Sequence, residues 1–274
     1  MLIVVLGSLV FAPSAYSQGH SRLSDWLLQH GYSAEAYPLG LSWRVPSEVP
    51  SQKALQLELL GQLDQLFRME SNLAVRKDSV ARMRQWLVGM PVTGRVPVPV
   101  ADVRWLQANP IKDPVIQLDH TVVLPRRPEK VAVLTSQATL CHVVHVPGST
   151  VQDYLHTCRL VSGRSSDWAW IAQPDGRIQR FGLAVWNLEK QDEPAPGAWI
   201  WAPDGQSGWT QEFSEKLIAF LATQGPAEDG KDRASEARLV PGPARGNLSN
   251  WFAPVSYTHL RAHETKANLV CRLL

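Results

Sequence analysis

The sequence predicts an α+β fold, with helices concentrated in its first half and short strands in its second. Three observations carry this. Residues 51–90 hold two stretches whose apolar positions fall three and four apart, the period of a helix. After Lys130, short apolar runs bounded by proline and glycine dominate, which is how strands and hairpins read. Between the two regimes lies Pro91 to Val100, where valines alternate with prolines. The 274 residues suffice for one or two domains, and 45% hydrophobic against 19% charged suits an ordinary globular core. Lys plus Arg number 27 against 25 acids, a balance that argues against nucleic acid or an anionic surface as partner.

Taken in order, Met1 to Phe11 is an apolar run too short to span a bilayer, and Ala15 and Ser17 suit cleavage before Gln18. Residues 1–17 are expected to be a signal peptide, with a periplasmic product. Ser24 to Gly31 reads as a short helix capped by Ser24, with Gly31 just past its end. Tyr37 to Val45 is expected to be extended, with Leu39, Leu41 and Trp43 on one face. Ser51 is placed to cap a helix striped by Leu55, Leu59, Leu63, Leu66 and Phe67. A second helix turns Val80, Met83 and Leu87 inward and Arg76, Lys77, Arg82 and Arg84 outward. Together they form a helical hairpin.

Pro91 to Val100 then enters β structure. Its prolines cannot donate ladder hydrogen bonds, so the strand belongs at an edge. Gly94 supplies the turn and Arg95 stands at its mouth, where a guanidinium either braces the turn or offers donors to an anion or to sugar oxygens. Ala101 to Asp119 reads as irregular, and His120 to Leu124 as a strand.

From Lys130 the pattern is compact. Val131–Leu134 and Leu140–Val146 read as strands, Thr150–Leu155 as a helix capped by Ser149 or Thr150, and Trp168–Ala172 as a strand. Gln173-Pro174-Asp175-Gly176 is a hairpin turn, Arg177–Phe181 returns from it, and Ala198–Ala202 closes the set. Phe213, Leu217, Ile218 and Leu221 mark a last amphipathic helix. Two strands, a crossing helix, a hairpin and a closing strand are the order of a β-grasp unit, here Lys130 to Pro203. Asp153 fits a first-turn acid and Tyr154 the core. Cys141 and Cys158 do not make a disulfide framework. Two buried thiols are the favoured expectation, a disulfide the alternative. Gly225 to Gly246 reads as a disordered linker by composition. Val255 to Leu274 bears no relation to what precedes it and resembles a tail translated from vector DNA, so its His259, His263, Glu264 and Cys271 are set aside.

The motifs Val92-Thr93-Gly94-Arg95-Val96-Pro97-Val98, Asp119-His120-Thr121, Pro125-Arg126-Arg127-Pro128, Thr150 to Leu155, Gln173 to Gly176, Val185-Trp186-Asn187 and Pro194 to Trp201 resemble, in order and spacing, the GfcC-type capsule biosynthesis family. The similarity runs with gaps from about Leu23 to Gln224. It implies two β-grasp domains, the first with an inserted helical hairpin, and a C-terminal amphipathic helix. The implied layout is residues 18–128, 129–209 and 210–224, followed by linker and tail over 225–274. The first domain lacks the hairpin that precedes the first helix in the family. The resemblance also implies similarity to periplasmic domains of polysaccharide exporters. It brings no established enzymatic activity, and it makes Arg95 a cleft residue of possible function.

Candidate ligand-binding residues are therefore Arg95, Thr93 and Gly94, with Trp186 and Asn187 as pocket-lining or loop-closing residues. No catalytic residue, metal ligand or cofactor is assigned. Asp102, Asp113, Asp119, Asp153 and Asp167 form no recognisable catalytic pair, and His142 and His145, three apart on a strand, face opposite ways. Trp168 with Trp170, and Trp199 with Trp201, share strand faces that suit core packing more than sugar stacking. The reading is an accessory protein of capsule or exopolysaccharide export, binding polysaccharide or the export machinery. The alternative is a polysaccharide-modifying enzyme with a cleft centred on Arg95.

Overall fold

A computed structural model of the chain describes residues 21–30, 35–69, 74–98, 101–158, 166–190, 192–203 and 208–227. Residues 1–17, expected to be a signal peptide, Gly31, Pro99, Val100, and the residues beyond Ala227, expected to be linker and tail, lie outside them.

Helix α1 spans Leu23–His30, so Ser24 sits in its first turn rather than ahead of it. The cap comes instead from Asp113, whose carboxylate accepts from Ser24 N at 3.0 Å and Ser24 Oγ at 2.7 Å. An acid there satisfies orphan N–H groups and the helix dipole together. The extended run expected over Tyr37–Val45 is broken, because Pro38 opens a 3₁₀ turn over Pro38–Gly40 and leaves Leu39 exposed. Strand β1 is therefore only Ser42–Arg44. Helix α2, Val49–Met69, starts ahead of Ser51, behind a 3₁₀ turn at Pro46–Glu48. Ser51 Oγ donates to Glu48 O at 2.8 Å. Of the expected stripe, Leu59 and Leu63 are fully buried, while Phe67 is half exposed under the Lys77 ammonium. Helix α3, Ala74–Gly89, buries Val80, Met83 and Leu87 as its period predicts.

Strand β2 is Arg95–Val96. Residues 101–119 are not wholly irregular. Helix α4, Val103–Ala108, is capped by Asp102, whose Oδ1 accepts from Trp105 N at 2.7 Å. Strand β3, Thr121–Val123, completes an antiparallel sheet in the order β2-β1-β3, so the proline-rich strand does lie at an edge. Leu23, Leu27, Leu41, Val98, Leu106 and Val122 form its core.

The second sheet comprises β4 (Lys130–Thr135), β5 (Leu140–Val144), β6 (Trp168–Ala172), β7 (Ile178–Gly182) and β8 (Trp199–Ala202), in the order β5-β4-β8-β6-β7. Among the neighbouring strand pairs of this sheet, β4 and β8 run parallel and the others antiparallel. Alternation along the strands makes two apolar faces. Val131, Val133, Ile171, Phe181 and Ile200 pack under α5 (Val151–Thr157) through Val151 and Tyr154. Thr150 and Asp153 form a reciprocal capping box, and those hydrogen bonds hold the Asp153 carboxyl below its usual range.

The other face carries Leu134, Trp170, Trp199 and Trp201 under α6 (Gln211–Ala222). The same core takes in Leu59, Leu63, Met83 and Leu87 of the helical hairpin, with Trp86 meeting Trp199 at 6.3 Å between ring centroids. Lys216 of α6 ties to Glu58 of α2. The hairpin inserted between the strands of the first sheet thus buries its stripe on the second. All described residues fall in one compact unit, so residue 128 marks a change of sheet rather than a gap in packing. Packed chain also runs past Gly225, since Ala227 is buried and its N–H donates to Gly197 O at 2.8 Å.

Cys141 and Cys158 are joined in a disulfide with Cα atoms 6.0 Å apart, which overturns the expectation of two thiols. Crossing of the sheet by α5 brings the helix end back over β5, a juxtaposition that spacing in sequence does not reveal.

Candidate functional site: the Arg95 clamp and the cleft above it

The Thr93-Gly94-Arg95 turn is fixed from three sides. Gly94 has φ +66°, and a Cβ there would lie 2.8 Å from Val45 O, so only glycine fits. Gln52 of α2 accepts from Gly94 N and donates to Arg95 O, each at 2.9 Å. Thr93 Oγ1 accepts from Arg95 N at 3.1 Å and donates to Thr223 O at 2.7 Å.

The Arg95 side chain is 1% exposed. One terminal nitrogen donates to Ala222 O at 2.8 Å; the other donates to Leu41 O at 3.0 Å and to Pro174 O. Ala222 ends α6, where carbonyls lack helical partners and a cation complements the dipole. Gly225 covers the guanidinium, since a Cβ there would stand 3.4 Å from Nε. Burial draws the Arg95 pKa from 12.5 down to about 10, with Asp175 opposing, so the group stays charged at neutral pH. Arg95 therefore lies beneath a cleft rather than in it. Its terminal donors are consumed by three carbonyls, and it is not presented to a ligand in this arrangement.

The cleft has a volume of about 310 Å³ and is lined by Leu39, Gln173, Pro174, Asp175, Arg177, Asp192, Glu193 and Ala195. Its floor is the Gln-Pro-Asp-Gly turn. Gly176 has φ +85°, and a Cβ there would fall 2.5 Å from Pro97 Cβ, so the turn is seated directly on the proline strand. Buried Asp175 accepts from Arg177 N at 3.0 Å and from Arg177 Nε at 2.6 Å. Gln173 donates to Glu193 O and accepts from Ala195 N, both at 3.0 Å, which fixes the opposite wall. Glu193 accepts from Gly148 N at 2.8 Å and meets His145 at 3.5 Å.

Three carboxylates face one exposed guanidinium, so the lining is net negative and suits hydroxyl or cationic donors. Beside it Tyr37 donates to Pro196 O at 2.8 Å, and burial pushes its pKa up to about 12. Arg95 and Tyr37 thus both keep their protons at neutral pH. Among the described residues, no group of three His, Cys, Asp or Glu is placed to hold a metal.

Trp186 and Asn187 are not part of this cleft. They sit at the other end of the β6–β7 hairpin, where Trp186 is 72% exposed and Asn187 Nδ2 donates to Asp167 O at 2.9 Å. The five predicted residues therefore divide between two places. Reading the sequence missed Gln52 as a brace of the Arg95 turn, Tyr37 beside the cleft, and Asp175 and Arg177 in its lining. Only the Pro-Asp-Gly turn signal pointed towards them. Trp170, Trp199 and Trp201 are core, as their strand faces suggested.

Residues 139–224 match the family described as capsule biosynthesis GfcC C-terminal. The uncharacterized protein YjbG of Escherichia coli (strain K12) is 28% identical over 133 residues, 48% of this chain and 54% of that protein. The chain thus spans about half the length of this curated relative.

Proposed function

With residues 139–224 of the GfcC C-terminal type, we propose that the protein is an accessory factor in capsule or exopolysaccharide assembly and export. It works by holding polysaccharide or the export machinery rather than by breaking bonds. The family match is the observation that carries this reading. The cleft adds support, because it offers fixed acceptors and one guanidinium. Arg95, Thr93 and Gly94 act in it as the frame of the floor, through Pro174 O. The Cys141–Cys158 disulfide supports an oxidising, periplasmic location. The order β5-β4-β8-β6-β7, with its parallel central pair and α5 across one face, supports a β-grasp assignment for the second sheet. Insertion of α2 and α3 between β1 and β2 supports the interrupted first unit.

The test is a gene deletion read out as cell-bound capsule, together with incubation of purified protein with the polymer. Capsule output should fall while polymer mass and linkage stay unchanged by the protein. Undiminished capsule in the deletion strain rejects the role. A change in polymer mass or linkage that disappears in Arg95→Ala would favour the modifying enzyme instead.

A further inference from the structure

We propose that the far end of the β6–β7 hairpin binds a carboxylate-bearing sugar residue, with Trp168 and Trp186 offering ring faces and Arg180 receiving the carboxylate. The inference deepens the polysaccharide reading and rests on it for the class of ligand.

Arg180 stands opposite Trp170 in the β6–β7 register, so it shares a sheet face with Trp168 and Trp170. Its guanidinium carbon lies 3.9 Å from the Trp168 ring centroid and 5.5 Å from that of Trp170. Stacking of this kind engages the flat face of the cation and leaves its in-plane N–H edge for an acceptor. Among the described residues no carboxylate or carbonyl accepts from Arg180, and its Nε is buried with no partner. Asp175, the acid nearest in sequence, pairs with Arg177 instead, and neither Asp167 nor Glu189 pairs with Arg180. In the other site Arg95 gives its terminal nitrogens to three carbonyls, and Arg177 pairs with Asp175.

The loop beside it is held in place rather than loose. Gly182 admits no side chain, since a Cβ would fall 1.8 Å from Asn187 O. The backbone of Asn187 therefore lies directly on the strand end, while its amide is tied to Asp167. Between these anchors Trp186 is 72% exposed and meets Trp168 edge-on at 6.3 Å and 84°. Val185 beside it is 98% exposed. A fixed loop that keeps a tryptophan in water, against the ring that carries an unpaired guanidinium, pairs an apolar plate with an anion-seeking edge. Pyranose C–H faces fit the plate and a ring carboxylate fits the edge. A lone arginine in a chain of balanced charge offers no phosphate track, which disfavours nucleic acid. The negative cleft lies at the turn end of the same hairpin, roughly 17 Å away at strand rise, and would repel the same group.

Isothermal titration of the full chain with oligogalacturonate, with a neutral maltooligosaccharide of equal length, and with triglutamate tests this. Oligogalacturonate should bind about tenfold tighter than the neutral sugar, and triglutamate should bind no better than the neutral sugar. Trp186→Ala, at an exposed position, should weaken oligogalacturonate about tenfold, and Arg180→Gln should reduce it to the level of the neutral sugar. Absence of oligogalacturonate binding, equal binding of triglutamate, or an unaffected Trp186→Ala would each overturn the site. These outcomes are separate from the capsule readout. Loss of capsule on deletion with no oligogalacturonate binding rejects only this site, and binding with undiminished capsule rejects only the cellular role.

Discussion

Replacing Arg95 by methionine isolates the clamp, because volume is nearly kept while the donors vanish. Leu41 O, Pro174 O and Ala222 O would each lose a buried partner, at about 2 kcal/mol apiece. Against that, the variant no longer buries a guanidinium. Its pKa falls from 12.5 to about 10 on burial, which at about 1.4 kcal/mol per unit returns about 3 kcal/mol. The net loss is about 3 kcal/mol, or about 6–12 °C in Tm for a chain of this size. Urea and thermal unfolding followed by circular dichroism at neutral pH measure it. A variant melting within about 2 °C of the parent refutes the reasoning, since three orphaned carbonyls could not then be buried in the native state.

Gly176→Ala should destabilise by about 3 kcal/mol, from a left-handed backbone and the Cβ contact with Pro97. Gly148→Ala, at φ +80° with open space around it, should cost only about 1 kcal/mol, and the difference in denaturation midpoint measures the Pro97 contact. Removing the disulfide by Cys141→Ser with Cys158→Ser should cost about 3 kcal/mol for a sequence separation of 17, and reductant should lower the parent's Tm equally. The raised Tyr37 pKa makes its neutral form a stabilising species. That support is complete below pH 10.0 and is lost as pH rises through about 12. In native protein its tyrosinate absorbance should appear only together with unfolding, and reversible ionisation near pH 10 without loss of circular dichroism would contradict its burial.

Periodicity made the elements legible wherever a single chain segment sets its own pattern. Val80, Met83 and Leu87 face inward, and the Thr150–Asp153 box caps its helix, for reasons carried within a few residues. The stripe on α2 announced a buried face but not that the face would meet Trp199 and Trp201 of the other sheet. Asp113 caps α1 from 89 residues away, and no local pattern contains that fact. Arg95 is the extreme case. Its chemistry was visible, but its partners are backbone carbonyls 54, 79 and 127 residues distant, and a carbonyl carries no residue identity to search for. Trp186 was legible as a pocket or loop residue, whereas Arg180 was hidden because a lone arginine on a strand resembles any solvated charge.

The clamp also explains why position 95 holds arginine and not lysine. The three carbonyls belong to the lead into β1, the turn below the cleft and the end of α6, and they meet two different guanidinium nitrogens. A planar fork reaches such divergent acceptors from one rigid group, whereas an ammonium is a single point that is also harder to strip of water. Arg95→Lys keeps the buried charge but satisfies fewer carbonyls, so it should be no more stable than Arg95→Met. Its cleft floor, set through Pro174 O, should loosen, read as faster amide exchange at Gly176, whose N–H bonds Gln173 O at 2.9 Å. If lysine instead restores the parent melting temperature, charge at the helix end is what matters and the fork is incidental.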